Sequence, residues 1–577
     1  MTEQFGEHFA PPEEVRNMNT EICLDDNIIG GAGLPLLSDG KNMCVCNDDS
    51  HSLVIGGSGS KKNRLIVFPL IHLLAKRGEN MLISDPKGET LSRTGNFLKQ
   101  HGYNIRILDY RHLGKKGDFY NPLTYGYRLY KSGHQDEAQE VFADFVNVIS
   151  APQKKSTNDI FWAESASSLA VGILNLIAEC GSEDEVNVAT FARMCSIDNI
   201  ENLEKLADML PPNSVAGINL KGIRTAPERT KMSIYVVLFA MVSMFMNQNN
   251  LIKAMSSSTF ELDELAKPKT ALFIITPDEK DTFNFAVSMI VKQAYQILIA
   301  KAQENDDLKL GTRVNFILDE FPNIPRIPDF ISMISAGRSR NIRFFLVAQS
   351  LHQLQSKYGI SETQTIIGNC SNIVYLHSRE LPLLDMLSRM CGQRYLFDGS
   401  AIPLITPAQL QRLSKEKGEA LIFCGRLHPY VTCLPDIDRY DSFKGYPPME
   451  PPAAEPKQVK LLSLKRLIKD IDIGIRQMPF TGAAAEKPSR TERDELYSTM
   501  YHELVNEISR IFSDFVMLES YDDDEEQNKR LDYKAIYKSL FGRVGNLFNQ
   551  YCYFELEESL DDNVESSGDA DSNDDNG

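Results

Sequence analysis

Two adjacent acids, Asp319 and Glu320, close the apolar run Val314-Asn315-Phe316-Ile317-Leu318. Such a run, bounded by the turn signals Pro322, Asn323 and Pro325, suits a strand buried on both faces of a parallel sheet. Carboxylates at the C-terminal edge of such a strand stand where open α/β sheets bind ligands. There the first acid can hold Mg²⁺ through its water shell, and the second can orient or deprotonate an attacking water, as in the strand beside the phosphate loop of nucleoside triphosphatases. A buried strand followed by two solvated acids is the plain alternative, and the rest of the chain has to decide between them.

The second constellation is GGSGSKKNR, Gly56 to Arg64, which follows the strand Ser52-Leu53-Val54-Ile55 and precedes an apolar helix, Leu65 to Ala75. A phosphate loop needs glycines so that successive N–H groups converge on a phosphate. It also needs a lysine for the β and γ oxygens and a Ser or Thr hydroxyl for Mg²⁺. In the register Gly-x-x-x-x-Gly-Lys-Ser/Thr, Gly56 fills the first position and Lys62 the lysine, but Lys61 replaces the last glycine and Asn63 the hydroxyl. The candidate nucleotide-binding residues are Gly56, Gly57, Ser58, Gly59, Ser60, Lys62 and Asn63, with ATP and Mg²⁺ as the ligands. Asp319 is the candidate metal residue, and Asn63 can offer an amide oxygen beside it. A Cβ at position 61 is expected to perturb the loop. Binding of ATP and its hydrolysis are therefore separate questions.

The elements that must position these groups alternate. Strand Ser52–Ile55 and its helix lead to a second strand, Asn80 to Ser84, ending at DPKGE (Asp85 to Glu89), and a third, Ile105 to Leu108. That alternation opens a doubly wound parallel sheet. The sheet is expected to resume at Thr270 to Thr276 and to include Val314–Leu318, Ile342 to Ala348 capped by Gln349, Ile373 to Leu376 and Glu419 to Cys424. Between Asp136 and Ser258 helical periodicity dominates, and we read an all-helical insertion. The expected organisation is an irregular lead-in (1–50), a two-part nucleotide-binding domain (51–135 and 259–440) around a helical insertion (136–258), a linker with a basic amphipathic segment (441–490), a helical hairpin (491–552) and an acidic disordered tail (553–577).

The 577 residues carry a formal charge of −18. Ten carboxylates and no Lys or Arg lie from Glu555 onward, which leaves −8 for everything else. A local basic surface thus remains compatible with the total. The ten cysteines show no metal-ligand spacing and are expected to be reduced and buried, as in a cytosolic protein. The longest apolar run, Met232 to Met246, falls short of the roughly 20 residues of a membrane helix. No transmembrane segment is expected in this chain.

Read together, residues from about 15 to 440 resemble the type IV coupling proteins, the TraG/TraD-type ATPases of conjugation and type IV secretion. The resemblance is carried by GGSGS before Lys62, DPKGE, FWAES at Phe161 to Ser165, and LDEFPNIPRIPDF at Leu318 to Phe330. It continues through AGRSRNI at Ala336 to Ile342, AQSLHQLQSKYG at Ala348 to Gly359 and IIGNC at Ile366 to Cys370. The branch on mobile elements of Gram-positive bacteria is the most similar. The resemblance implies a RecA-like P-loop sheet carrying an all-α domain and a C-terminal helical extension, assembled as a hexameric ring at the cytoplasmic face of the cell membrane. The implied task is to receive single-stranded DNA with its relaxase and relaxosome proteins and feed it to a type IV secretion channel with ATP. It implies Lys62 on the phosphates, Asp319 on Mg²⁺, Glu320 as general base, Gln349 as γ-phosphate sensor and Arg338 as an arginine finger for the next subunit. Members usually open with two membrane helices, and this sequence starts at or just after where those would end, so the membrane contact is expected from a partner protein or from a segment upstream of residue 1. The helical insertion resembles the family's substrate-docking domain, with Leu169, Ile173, Leu176 and Ile177 expected in its core. Two other readings stay open: a substrate-docking receptor that no longer hydrolyses ATP, suggested by Lys61 and Asn63, and a double-strand DNA translocase of the FtsK kind, against which DPKGE and IPDF weigh.

Overall fold

The computed structural model describes residues 7–474, apart from 157–159, 197–198, 211–213, 225, 397 and 456. The expected hairpin at 491–552 and acidic tail at 553–577 lie outside the described residues. Three short strands, β1 (Thr20–Cys23), β2 (Leu34–Ser38) and β3 (Asn42–Cys46), form an antiparallel sheet in the order β1-β3-β2. This corrects the expectation of an irregular lead-in. Pro35 and the Gly30–Gly33 cluster read as breakers, yet Pro35 sits where β2 shifts register against β3, a position that tolerates a missing N–H.

The main sheet has nine strands: β4 (Ser52–Ile55), β5 (Asn80–Asp85), β6 (Asn104–Asp109), β7 (Thr270–Ile275), β8 (Val314–Leu318), β9 (Ile342–Ala348), β10 (Asn372–Tyr375), and, beyond the small ribbon of β11 (Gln393–Tyr395) and β12 (Ala401–Pro403), β13 (Glu419–Cys424) and β14 (Tyr430–Cys433). Their order is β14-β13-β10-β4-β9-β8-β5-β7-β6. The seven strands from β10 to β6 run parallel, and β13 and β14 complete one edge antiparallel. Every residue of β4, β5, β7, β8, β9 and β10 is buried, which is why these strands read as continuous apolar runs rather than alternating ones. One consequence differs from the sequence reading: β8 does not border β4, because β9 lies between them.

The rim at the N-terminal ends of the strands is held by a buried polar cluster. The fully buried Arg343 of β9 donates to Glu79 (2.9 Å), Asn315 (2.8 Å) and the carbonyls of Ala32 and Asp48. This ties the small N-terminal sheet to the large one.

Between β6 and β7 no strand occurs among the described residues; eight helices, from Leu123–Lys131 to Asn249–Met255, fill the interval. Leu169, Ile173, Leu176 and Ile177 are at most 1% exposed, so the stripe is core. The expectation that no segment reaches membrane-crossing length needs correction. Ile160–Cys180, Glu228–Met246 and Asp281–Gln303 are long and apolar enough by length and composition. The first and third are mostly buried within the fold, whereas Glu228–Met246 leaves Met232, Val236 and Met246 exposed.

The stretch expected to be a linker is docked along much of its described length. Asn96 donates to Pro447 O (2.9 Å), Met449 N to Ser92 O (3.0 Å), and Gly117 N to Pro452 O (2.8 Å). Gly95 admits Met449, whose Sδ would stand 2.4 Å from a Cβ there. The strap then crosses to the helical insertion, where Lys457 donates to Ser258 O (2.7 Å), Lys460 pairs with Asp184 (2.8 Å) and Asn187 donates to Lys460 O (2.8 Å). Buried Leu462, Leu464 and Leu467 anchor the helix Leu464–Gly474, which packs against Ile200–Met209. Nine described cysteines are unpaired, six of them buried, while Cys433 is exposed, contrary to the expectation for all ten.

Candidate functional site

Four parallel strands, β4, β9, β8 and β5, deliver their C-terminal ends to one edge of the sheet. The cavity there, about 250 Å³, is lined by Ser58–Arg64 after β4, Gln349 after β9, Asp319 and Glu320 after β8, and Asp85, Lys87 and Glu89 at and after β5. Lys62 and the acid pair, more than 250 positions apart, thus share one pocket.

The loop after β4 is fixed at its base. Gly56 N donates to Ala348 O (3.1 Å) and Gly57 N to His377 O (2.6 Å). A Cβ on Gly56 would stand 2.5 Å from Ser60 Oγ and 3.2 Å from Ser60 Cβ, so a larger residue there would have to push the Ser60 side chain aside. The amides of Ser58, Gly59 and Lys61 find no acceptor among the described residues, and the buried Ser60 Oγ likewise has none. Unpaired donors around one loop form a cradle for an anion. Lys61 adopts a left-handed backbone (φ +64°), the conformation a glycine takes without strain. The loop is therefore kept in shape despite the substitution. Behind it Arg64 forms a forked pair with Asp436 (Nε 2.9 Å) and also meets Asp438, and Lys61 Nζ lies 3.8 Å from Asp436.

Lys62 folds over the loop, donating to Gly56 O (2.6 Å) and Gly57 O (3.4 Å). One of its three N–H bonds is left for a ligand. Burial lowers its pKa, opposed by the nearby charges of Asp319 and Glu320. Asn63 donates its Nδ2 to Asp319 Oδ2 (2.8 Å), so its amide nitrogen rather than its oxygen faces the acid. Asp319 also accepts from Glu320 N (2.9 Å) through Oδ1. Burial is the main reason its pKa rises to about 6; the Asn63 hydrogen bond works against that shift and Glu320 adds to it. Asp85, a third acid on the same edge, is also raised by burial. The carboxylate oxygens of Asp319 at this edge suit a hard divalent cation, whereas Asp85 Oδ2 accepts from Leu91 N (2.9 Å) at the start of the following helix.

Glu320 takes a left-handed backbone (φ +50°) that swings its carboxylate between two amides: Gln349 Nε2 donates to Oε1 (3.0 Å) and Asn323 Nδ2 to Oε2 (2.7 Å). A carboxylate held this way is oriented yet keeps lone pairs for a water. Gln349, expected on the γ-phosphate, here contacts the acid. Arg338 is the candidate residue not brought to the pocket. It precedes β9 whereas Gln349 follows it, so the length of the strand, roughly 20 Å, separates them. It is 59% exposed and paired with Asp49 (2.8 Å). Sequence reasoning missed Asp436 and Asp438, whose contact with Arg64 spans more than 370 positions and leaves no local signal. Asp85 was visible in DPKGE as an acid ending a strand.

A mostly parallel sheet with a glycine-rich strand-to-helix turn and an acid pair on the same rim defines a RecA-like P-loop fold. Residues 14–396 match the family described as Type IV secretory system Conjugative DNA transfer, and the chain belongs to that family. A probable conjugal transfer protein TraG of Sinorhizobium fredii is 24% identical over 446 residues, covering 70% of this chain and 65% of the relative. A VirD4 protein of Rhizobium radiobacter is 23% identical over 420 residues, covering 70% and 56%. The chain thus spans less than two thirds of these curated relatives. Among solved structures, the plasmid coupling protein TrwB in complex with the ATP analogue ADPNP matches with a TM-score of 0.57 and 17% identity, over 78% of this chain and 97% of that one. TrwB in complex with ADP and Mg²⁺ matches with a TM-score of 0.55, over 76% and 95%.

Proposed function

We propose that this chain is a coupling protein that links a relaxosome to a type IV secretion channel and drives conjugative transfer of single-stranded DNA with ATP. In this reading it works as a hexameric ring at the cytoplasmic face of the cell membrane. The observation that carries it is the convergence of Lys62, Asp319, Glu320 and Gln349 on one cavity in a chain of the conjugative transfer family. The complexes of TrwB with ADPNP and with ADP and Mg²⁺ support a nucleotide and Mg²⁺ in that cavity. The motif likeness supports the mobile-element branch of Gram-positive bacteria.

When bound, Mg-ATP supplies the phosphoanhydride whose cleavage drives the cycle. The amides of Ser58, Gly59 and Lys61 and the hydroxyl of Ser60 bind phosphate oxygens, and Lys62 neutralises their charge. Asp319 would hold the cation through its water shell, and Asn63 would join it by turning its amide oxygen toward the acid. Glu320, aligned by Gln349 and Asn323, takes a proton from the attacking water. Arg338, too far from its own cavity, serves the neighbouring subunit's.

The docking-receptor reading is favoured by one observation: both substituted positions are engaged, Asn63 with Asp319 and Lys61 beside Asp436. DNA-stimulated ATP hydrolysis by the natural chain, beside Lys61→Gly/Asn63→Thr and Glu320→Gln, separates the two. Turnover in the natural chain that disappears in Glu320→Gln supports the motor. Turnover that emerges only in the repaired loop overturns it in favour of the receptor.

A further inference from the structure

At the β13–β14 edge of the sheet, away from the nucleotide cavity, two histidines and two glutamates from separate parts of the chain meet. His428 stands in the turn between the two strands. Its Nδ1 lies 3.5 Å from Glu14 Oε1 and its Nε2 3.7 Å from Glu7 Oε2. The His8 ring lies over it, centroid to centroid 4.1 Å. One ligand atom from each of His8, Glu14 and His428 lies within 4.8 Å of the other two. We propose that His8, Glu14 and His428 bind a divalent transition metal, zinc by the chemistry of the donors, and that the ion clips the N-terminal segment to the sheet.

Four donors at about 2.0–2.1 Å around a tetrahedral zinc are roughly 3.4 Å apart. The Glu14–His428 separation already matches, and His8 closes the remainder with a side-chain rotation. Glu7 then accepts the Nε2–H of His428, the outer carboxylate that fixes the tautomer of a metal-bound imidazole. Two imidazoles and a carboxylate without a thiolate suit Zn²⁺ and exclude a preference for Mg²⁺ or Ca²⁺, which favour all-oxygen shells.

The backbone holds these groups in place. Glu7 N donates to Gln393 O and Ala10 N to Pro429 O, both 3.0 Å, so hydrogen bonds bracket His8. Glu14 lies on the helix Pro12–Met18. Gly392 makes room for Glu7, since a Cβ there would stand 2.6 Å from Glu7 Cγ. No ligand is shared with the cavity of Lys62 and Asp319, so the site stands or falls separately from the proposed function.

The test is calorimetric titration of the tag-free, chelator-treated full chain with Zn²⁺, with Co²⁺ as a spectroscopic stand-in and circular dichroism as the folding control. A single equivalent is expected, with a tetrahedral Co²⁺ absorption band and a zinc-dependent rise in Tm. His8→Ala and His428→Ala should abolish all three, and Glu7→Gln should weaken binding about tenfold. Glu14→Gln keeps the shape of the side chain and should lose the equivalent while remaining folded. Absence of saturable binding, or an equivalent that survives in folded His8→Ala and His428→Ala, overturns the proposal.

Discussion

At position 61 a lysine holds the backbone conformation that a phosphate loop gives to glycine. A side chain there costs about 1 kcal/mol relative to glycine, and the ammonium's 3.8 Å approach to Asp436 offsets little of this at a half-exposed site. Lys61→Gly should therefore stabilise the chain by about 0.5–1 kcal/mol in urea unfolding; an unchanged or lower midpoint would contradict this account of the loop. Asp436→Asn should do the opposite, by about 1–2 kcal/mol, because it removes the forked partner of Arg64. It should also weaken nucleotide binding measured by fluorescence, and Lys61→Gly should restore part of that loss. The other exposed consequence concerns Asp319, whose pKa of about 6 stands above its ordinary 3.8 because of burial. A raised carboxyl pKa means that the folded chain binds the proton more tightly than the unfolded one. The stabilising contribution is present below about pH 4 and is lost as pH rises through 6. Asp319→Asn should thus gain about 1–2 kcal/mol at pH 7, with little gain at pH 4, while losing Mg²⁺-dependent nucleotide binding. Equal effects at both pH values would rule out the linkage.

At the level of elements, the strap of residues 447–469 is the part whose removal has the clearest expected result. Leu467→Asp should release the helix Leu464–Gly474 from Ile200–Met209, lower the melting temperature and expose the strap to limited proteolysis, leaving the sheet's own hydrogen-exchange protection intact. A strap that stayed protease-resistant would show that the polar anchors from Lys457 to Lys460 suffice. The strap also shows where sequence reading stops. The buried strands β5, β7, β8 and β9 were legible because a parallel sheet needs unbroken apolar runs, and each ends in a recognisable acid, amide or turn. Lys457, Lys460 and Arg466 read only as part of a basic amphipathic segment, whereas the fold engages them with Ser258, Asp184 and Glu185. Those partners lie too far away in sequence to advertise the pairing. The N-terminal sheet was hidden for a related reason: its strands are four or five residues long, and Pro35 interrupts the apolar pattern. Within the candidate site, residue types and their order could be read directly. The hydrogen bond from Gln349 to Glu320 could not, since it depends on β9 lying between β4 and β8.

For the whole molecule, the position of Arg338 constrains how the site could be completed. It sits at the opposite rim from Glu320, so a catalytic role for it requires a second copy of the chain. Arg338→Ala should leave nucleotide affinity and melting temperature unchanged while reducing hydrolysis by about 10³-fold, as for other arginine fingers. Mixing it with Glu320→Gln chains should restore part of the activity, because some interfaces then pair an intact Arg338 with an intact Glu320. Mixed assemblies as inactive as either variant alone would exclude the shared pocket. The strap carries a different consequence for engineering. Because it is stitched to Ser92 and Asn96 of the helix Glu89–Gln100 on one side and to Asp184, Asn187 and the Ile200–Met209 helix on the other, the helical module is not a self-contained cassette. Transplanting it into a relative would have to carry the distant 447–474 stretch along, or leave the graft with an uncovered seam.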